Sequence, residues 1–356
     1  MKTMGLFSRS AVLALAACML TIAPSLYADG GANHQVVSAN YGVSGGNIND
    51  TTRRFCCSGT LGSLVQSGSN QYILSNNHVL ARGDQAAAGE DVSQPGLIDN
   101  GCQVPRIVAD FTTAPALGSN VDAAIAQLRS GTMNTTGSIE DIGTISSVVK
   151  APAVGMSVAK SGRTTGLTTG TISSINTSVN VQYQQNCGSG KKFVVSYTNQ
   201  VVINSSTFSA GGDSGSLIVS NNSCHQPVAL LFAGSSTTTI ANPIGEVLSE
   251  LSAALGSSVS FVGGSCTSSR ELASRGQSVE PADAAVDRAM RAMRAREKDL
   301  MSRPGIIGIG VGASESDPND ASIVIYIDAN SPPASVPRQI NGVRVRRVFT
   351  EPFVAY

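Results

Sequence analysis

Gly211-Gly212-Asp213-Ser214-Gly215-Ser216 places a serine among residues with almost no side-chain bulk. A substrate carbonyl can approach Ser214 there, and the backbone N–H groups of Gly212 and Ser214 can converge on a developing oxyanion. Taken alone, the hexapeptide reads as well as a glycine-rich hairpin turn. The rest of the chain decides between the two, because acyl transfer at an amide also needs a base and a carboxylate that orients it.

Two segments supply those parts. Asn76-Asn77-His78-Val79 follows the strand-like Tyr72-Ile73-Leu74-Ser75, setting His78 at a strand end where an imidazole can face a cleft. The other two histidines read as surface residues: His34 lies in a Gly/Asn/Ser-rich stretch and His225 in the polar turn 221–226. Asp122 opens Val121-Asp122-Ala123-Ala124-Ile125-Ala126, an acid within a small, apolar run. A buried carboxylate is costly unless it accepts hydrogen bonds, and a histidine Nδ1–H is a suitable donor. A helix cap for the following alanines is the plain alternative. Asp110, inside the run 107–111, ranks second as the orienting acid.

His78, Asp122 and Ser214, in that order and separated by 44 and 92 residues, resemble the triad of the chymotrypsin-like serine peptidases. The run Lys160-Ser161-Gly162-Arg163-Thr164-Thr165-Gly166 resembles the bacterial branch that contains α-lytic protease and the streptogrisins. The resemblance implies a structural ion pair between Arg163 and Asp213, and an oxyanion loop organised without a freshly cut amino terminus. It further implies that Phe232-Ala233-Gly234 pairs with substrate backbone and that Phe208, Ser209 and Gly234 set primary specificity. No acid occurs at those positions, so Lys or Arg preference is disfavoured and small or medium apolar side chains are expected. The sequence departs from the family by extra residues around Cys56-Cys57 and by Gly215-Ser216 in place of two glycines. The expected activity is a serine endopeptidase acting on peptide or protein substrates, without cofactor or metal. A non-catalytic binding protein on the same scaffold and an esterase are the alternatives.

The surrounding pattern reads as an all-β sandwich or barrel, not alternating helix and strand, and the resemblance implies the all-β double β-barrel of the chymotrypsin-like kind. Short Val/Ile/Thr-rich runs broken by Gly, Asn and Ser recur from Arg54 to about Gly264, among them 59–65, 71–75, 170–175, 192–196, 200–203 and 228–233. One helical stretch, Ile244 to Leu255, closes this region. Residues 29–50 read as an amino-terminal arm, 51–264 as the peptidase domain and 265–280 as a polar linker.

Residues 281–356 change character and read as a small α+β domain. Twelve of the 24 Lys and Arg residues fall between positions 270 and 356. Glu280 to Met301 carries Val286, Met290, Met293 and Leu300 at helical spacing, with acids early and bases late. Strand-like runs follow at 306–311, 323–327 and 343–348. Gly308, Gly310 and Gly312 alternate with strand residues and lack a following helix, which excludes a nucleotide loop. The segment 304–356 resembles a small domain found beside the peptidase in some bacterial trypsin-like proteins. A folding aid, a targeting module and internal inhibition are the candidate roles, beside that of a plain stabilising appendage. Inhibition follows from the tail 349–356, which is extended, partly apolar and able to enter the cleft.

A formal net charge of zero and a pI of about 6.8 exclude a global pull toward nucleic acid or acidic lipid. Lys2 and Arg9 before the apolar run 11–23, with Ala28 as a cleavage position, predict a signal peptide over residues 1–28 and a secreted or periplasmic protein. Leu15-Ala16-Ala17-Cys18 offers the competing reading of a lipoprotein anchored at Cys18; no other membrane contact is expected. The six cysteines beyond the signal read as disulfides with open connectivity, since their spacing does not suit zinc.

Overall fold

The computed structural model describes residues 32–266 and 281–356, apart from positions 318 and 334. The expected signal peptide, Cys18 and most of the expected linker lie outside the described residues. None of the described helices is long and apolar enough to cross a membrane.

The first sheet comprises β1 (Val43–Asn47), β2 (Gly59–Leu61), β3 (Ser63–Ser67), β4 (Asn70–Ser75), β5 (Asp91–Gln94), β6 (Arg106–Thr113) and β7 (Ala124–Leu128). Its antiparallel order is β3-β4-β7-β6-β5-β1-β2, and it rolls into a barrel. A single helical turn, α1 (Asn77–Leu80), follows β4. The region read as an amino-terminal arm therefore enters the barrel. β1 is fully buried between β2 and β5, and Gly45 lies so close to Leu61 that apolar periodicity is replaced by backbone packing. His34 is buried as well, its Nδ1 2.8 Å from Gly42 O and its Nε2 3.0 Å from Asp141 Oδ2, so its reading as a surface residue does not hold.

A short ladder of β8 (Ser138–Ile139) and β9 (Gly143–Thr144) leads to the second sheet. This contains β10 (Ser157–Gly162), β11 (Gly166–Thr171), β12 (Ser174–Asn186), β13 (Ser189–Asn204), β14 (Leu217–Ser220), β15 (Pro227–Gly234) and β16 (Thr238–Pro243). It curls as a half-barrel in the order β11-β10-β14-β15-β16-β13-β12. In the long β12–β13 hairpin, Val179, Val181 and Tyr183 point inward at the two-residue period of a strand, while Asn180 and Gln182 alternate with them. Helix α2 (Ile244–Leu255) buries Ile244, Val247 and Leu251, spaced as one helical face, against the first barrel. Its end is a left-handed Gly256 whose N–H satisfies the carbonyls of Ser252 and Ala253. The chain then returns to the first sheet through β17 (Ser260–Phe261), paired with β3.

The last segment adds α3 (Asp283–Arg294), α4 (Glu297–Met301), β18 (Ile306–Ala313), β19 (Ala321–Asp328), β20 (Gln339–Ile340), β21 (Val343–Thr350) and β22 (Phe353–Ala355). The helix expected over 280–301 is two helices. α3 presents Ala285, Ala289, Ala292 and Met293 to the core, and the break at 295–296 lets Leu300 of α4 join the same cluster. Gly308, Gly310 and Gly312 lie within β18, which pairs with β12, so β18-β19-β21-β20 extends the second sheet. β22 turns back and lies between β12, in parallel, and β15, antiparallel.

Candidate active site

Asp122 comes from the loop before β7, and His78 from α1, directly after the neighbouring strand β4. Asp122 precedes a strand, not a helix, which disposes of its reading as a helix cap. Its side chain is fully buried, with Oδ1 accepting the His78 backbone N–H at 3.2 Å and Oδ2 2.6 Å from His78 Nδ1. The loop is fixed from two sides: Asn76 Nδ2 donates to Asp122 O at 2.6 Å, and the Asp122 N–H donates to Asn242 Oδ1 at 3.0 Å. Tyr183, from the β12–β13 hairpin, donates its hydroxyl to Asp122 Oδ2 at 2.8 Å, and Tyr197 sits 2.7 Å behind it. Asp110 lies elsewhere, paired with Arg129 at 2.5 Å.

A carboxylate only accepts, so His78 Nδ1 carries a proton. The other ring nitrogen, Nε2, is 3.0 Å from the main-chain oxygen of Tyr356. That oxygen also only accepts, so in this arrangement both nitrogens donate and the ring is an imidazolium. Burial alone pushes the His78 pKa down, but the charge and hydrogen bond of Asp122, the Tyr356 oxygen and the charge of Asp50 lift it above its usual value. Asp50 is itself pushed up to about 6 by burial, against the opposing pull of His78 and Arg82.

Ser214 occupies the turn between β13 and β14 and is fully buried. Its Oγ donates to Phe232 O at 3.1 Å, rather than to His78. The turn needs glycine on either side of the Asp213-Ser214 pair. Gly212 and Gly215 have φ of +96° and +93°, and a Cβ on Gly215 would lie 2.2 Å from both Ser75 Oγ and Thr60 O. Thr60 of the first barrel pins this loop. Its N–H donates to Ser214 O at 2.7 Å and its hydroxyl to Gly212 O at 3.0 Å.

The ion pair expected between Arg163 and Asp213 is not formed. Arg163 reaches the other way and grips Asp99 with two bonds of 2.5 and 2.6 Å. Asp213 is saturated without it: the N–H groups of Thr164, Thr165 and Ala210 and the Thr165 hydroxyl all donate to its carboxylate. Its cationic partner is Lys160 at 3.5 Å, both side chains fully buried. Strand alternation explains the exchange. Lys160 lies within β10 and points inward, whereas Arg163 stands in the turn after it. A lysine inside the otherwise small and apolar run 158–162 is the sequence signal for this role. Burial pushes the Lys160 pKa down, and Asp213 opposes that shift.

Of the expected substrate-binding residues, Phe232, Ala233 and Gly234 form the end of β15, against which Val354 and Ala355 pair. Phe208 is fully buried in the core of the second sheet, while Ser209 is partly exposed beside an opening of about 610 Å³ that Gly211, Ser235 and Tyr356 also line. A second groove, about 560 Å³, runs from His78 past Asp50, Cys57, Arg82, Tyr183 and Phe193. Disulfides Cys56–Cys102, Cys57–Cys187 and Cys224–Cys266 join all six cysteines among the described residues. The second ties the first barrel to the β12–β13 hairpin beside this groove. Three disulfides fit an oxidising compartment.

Two curled antiparallel sheets, a barrel that carries the bonded pair His78 and Asp122 and a half-barrel that carries a tight Gly-Asp-Ser-Gly turn, make this the chymotrypsin-like serine protease fold. A family model, the Nal1 C-terminal domain, matches residues 119–242. Among solved structures, a glutamic-acid-specific serine protease is similar at 21% identity and a TM-score of 0.44, over 62% of this chain and 98% of that one. Thermobifida fusca protease A is similar at 20% identity and a TM-score of 0.42, over 64% of this chain and 100% of that one. Cellulomonas bogoriensis chymotrypsin is similar at 16% identity and a TM-score of 0.41, over 64% and 100%. None of the curated proteins matches the chain.

Proposed function

We propose that this protein is an exported serine endopeptidase. Ser214 attacks the scissile carbonyl while His78 takes its proton, and Asp122 holds the imidazole in the tautomer that exposes Nε2. The N–H groups of Gly212 and Ser214 hold the oxyanion, each such donor being worth about 3 kcal/mol in the transition state. The C–N bond then breaks as His78 returns the proton to the leaving amine, and water attacks the acyl-enzyme by the same route. The observation that carries this reading is the buried Asp122 carboxylate, 2.6 Å from His78 Nδ1. A structural carboxylate has no need of an imidazole at the mouth of a groove, whereas a catalytic base needs this partner. The expected signal peptide, together with the disulfides, supports a secreted or periplasmic site of action. Hydrolysis of esters at the same site follows from the same chemistry.

A second reading, a peptide-binding protein without catalysis, is favoured by the Ser214 hydroxyl bonding to Phe232 O instead of His78. A fluorophosphonate separates the two, since it phosphonylates only a serine activated by its base. Labelling that is lost in Ser214→Ala and in His78→Ala supports the peptidase. Absence of labelling in the folded protein, with and without residues 354–356, overturns it.

A further inference from the structure

The last four residues lie in the cleft as a peptide substrate would. Ala355 pairs with Ala233 and Val354 with Gly234, antiparallel to the strand expected to receive substrate. The Tyr356 N–H points at Phe232 O, 3.4 Å away, and the Tyr356 main-chain oxygen meets His78 Nε2 at 3.0 Å. Tyr356 thus stands in the register of the residue on the acyl side of a cut bond, with its main-chain oxygen turned toward His78.

The Tyr356 side chain fills a matching hole. It packs against the core cluster that contains Phe208, and its hydroxyl donates to Ser235 O at 2.8 Å. Burial pushes its pKa up to about 12, with Ser209 and Asp213 nearby. Gly234 forms the wall of the hole. A Cβ there would lie 2.3 Å from the Tyr356 hydroxyl, so only glycine leaves room for a phenol ring. Three residues upstream, Phe353 is buried against Tyr326, ring centroids 5.9 Å apart, while Val181 of β12 lies beside it.

We propose that residues 353–356 occupy the subsites of the cleft, that the protein thereby holds its own active site closed, and that its substrates are peptides carrying an aromatic residue on the acyl side of the cut bond. This rests on the endopeptidase reading for its chemistry, though not for the docking itself. It replaces the expectation of small or medium apolar side chains, because the hole beside Gly234 accepts a whole tyrosine. The closure has three parts: Ser214 is shut from solvent, the Phe232 carbonyl and β15 edge are taken, and His78 is held as an imidazolium that cannot accept the serine proton. A tethered segment acts at an effective concentration on the order of 1 mM, so even an affinity of about 100 µM leaves only about a tenth of the molecules open.

The test compares the full chain, a variant ending at Phe353, Tyr356→Phe and Tyr356→Ala. Two readouts are used: fluorophosphonate labelling of Ser214, and polarisation of fluorescent Val-Ala-Tyr on the same chains carrying Ser214→Ala, which requires no catalysis. The shortened chain and Tyr356→Ala are expected to label about tenfold faster than the full chain and Tyr356→Phe. The shortened chain, which keeps its own Phe353, is expected to bind Val-Ala-Tyr at least about tenfold more tightly than Val-Ala-Ala or Val-Ala-Lys. Equal and measurable labelling in all four chains, or measurable labelling with no preference for tyrosine in binding, overturns the inference and leaves the peptidase reading intact. Selective binding without any labelling overturns the peptidase reading and supports the docking. Circular dichroism of each variant identifies one that has lost its fold, and the Tyr356 pair, which keeps β22 whole, then decides.

Discussion

Tyr183 and His78 share one oxygen of Asp122: the tyrosine hydroxyl donates to Oδ2 at 2.8 Å and the imidazole Nδ1 lies 2.6 Å from the same atom. The phenol therefore helps to aim a buried carboxylate and satisfies one of its acceptor sites. Its own pKa is raised well above normal by burial and by that carboxylate, so it remains a donor. Tyr183→Phe removes one hydrogen bond to a charged group, worth about 1.5–3 kcal/mol. The expected result is a fall in kcat/KM of about tenfold or more, with KM little changed. Asp122, less stabilised, attracts the His78 proton more strongly, so the acid limb of the pH–rate profile moves to higher pH. A stability loss with an unmoved pH profile would assign Tyr183 to packing alone.

Lys160 and Asp213 form a buried pair directly beneath the Ser214 turn. Removing one member strands the other charge in the interior, at a cost of about 3–5 kcal/mol. Lys160→Met, which keeps most of the volume, is expected to lower the denaturation midpoint strongly and to slow Ser214 labelling, because Asp213 sets the direction of the turn. The double variant Lys160→Met/Asp213→Asn recovers part of the stability. Arg163→Met, by contrast, leaves the turn's carboxylate fully bonded and costs less than Lys160→Met in chemical denaturation.

Much of this arrangement was legible in the sequence where one residue type had one use. Short apolar runs such as 71–75 and 228–233 become strands, and His78 and Asp122, 44 residues apart, meet because they stand at the ends of the paired strands β4 and β7. What the sequence did not reveal were contacts chosen by tertiary geometry. Arg163 and Lys160 stand three residues apart, and only the register of β10 decides which faces Asp213. Tyr183 and Thr60 carry no local mark of their hydrogen bonds to the site, since each comes from a strand distant in sequence. β1 was hidden because Val43-Ser44-Gly45-Gly46-Asn47 is buried for close backbone approach, not for apolar area. The tail's entry into the cleft was an expectation from its apolar, extended character, but its register and the fit of Tyr356 depend on Gly234, 122 residues earlier.

The bond Cys57–Cys187 closes a loop across 130 residues and fastens the β12–β13 hairpin, which carries Tyr183, to the first barrel. By loop entropy such a bridge stabilises by about 4–5 kcal/mol, less whatever structure the reduced chain retains. Cys57→Ala/Cys187→Ala is expected to lower the thermal midpoint and to increase hydrogen exchange along 183–197 more than along β4. Cys224→Ala/Cys266→Ala, whose loop spans 42 residues and lies away from the cleft, should cost somewhat less and leave Ser214 labelling unchanged. Equal loss of labelling in both variants would show that the hairpin has no special link to the site.

The bond between His78 and Tyr356 makes closure depend on pH. His78 has a pKa raised above 6.5 in the folded chain, so the stability it contributes is fully present below 6.5 and is lost as pH rises through the folded value. Part of that stability belongs to the tail, whose oxygen favours the imidazolium. The tail therefore docks more weakly as the pH rises, while the base it releases becomes neutral and competent. Both effects act in one direction, and the full chain should gain labelling rate with pH more steeply than the chain ending at Phe353. Without the tail the acid limb should fall at lower pH, since one acceptor of the His78 proton is gone. Asp50 titrates at about 6 in the same groove and also raises His78, with Arg82 opposing it and Asp122 and Tyr183 fixed behind the ring. Asp50→Asn separates the two contributions: it should lower the acid limb in both chains while preserving the difference between them. Parallel pH profiles for the full and shortened chains would mean that the Tyr356 oxygen does not hold the His78 proton.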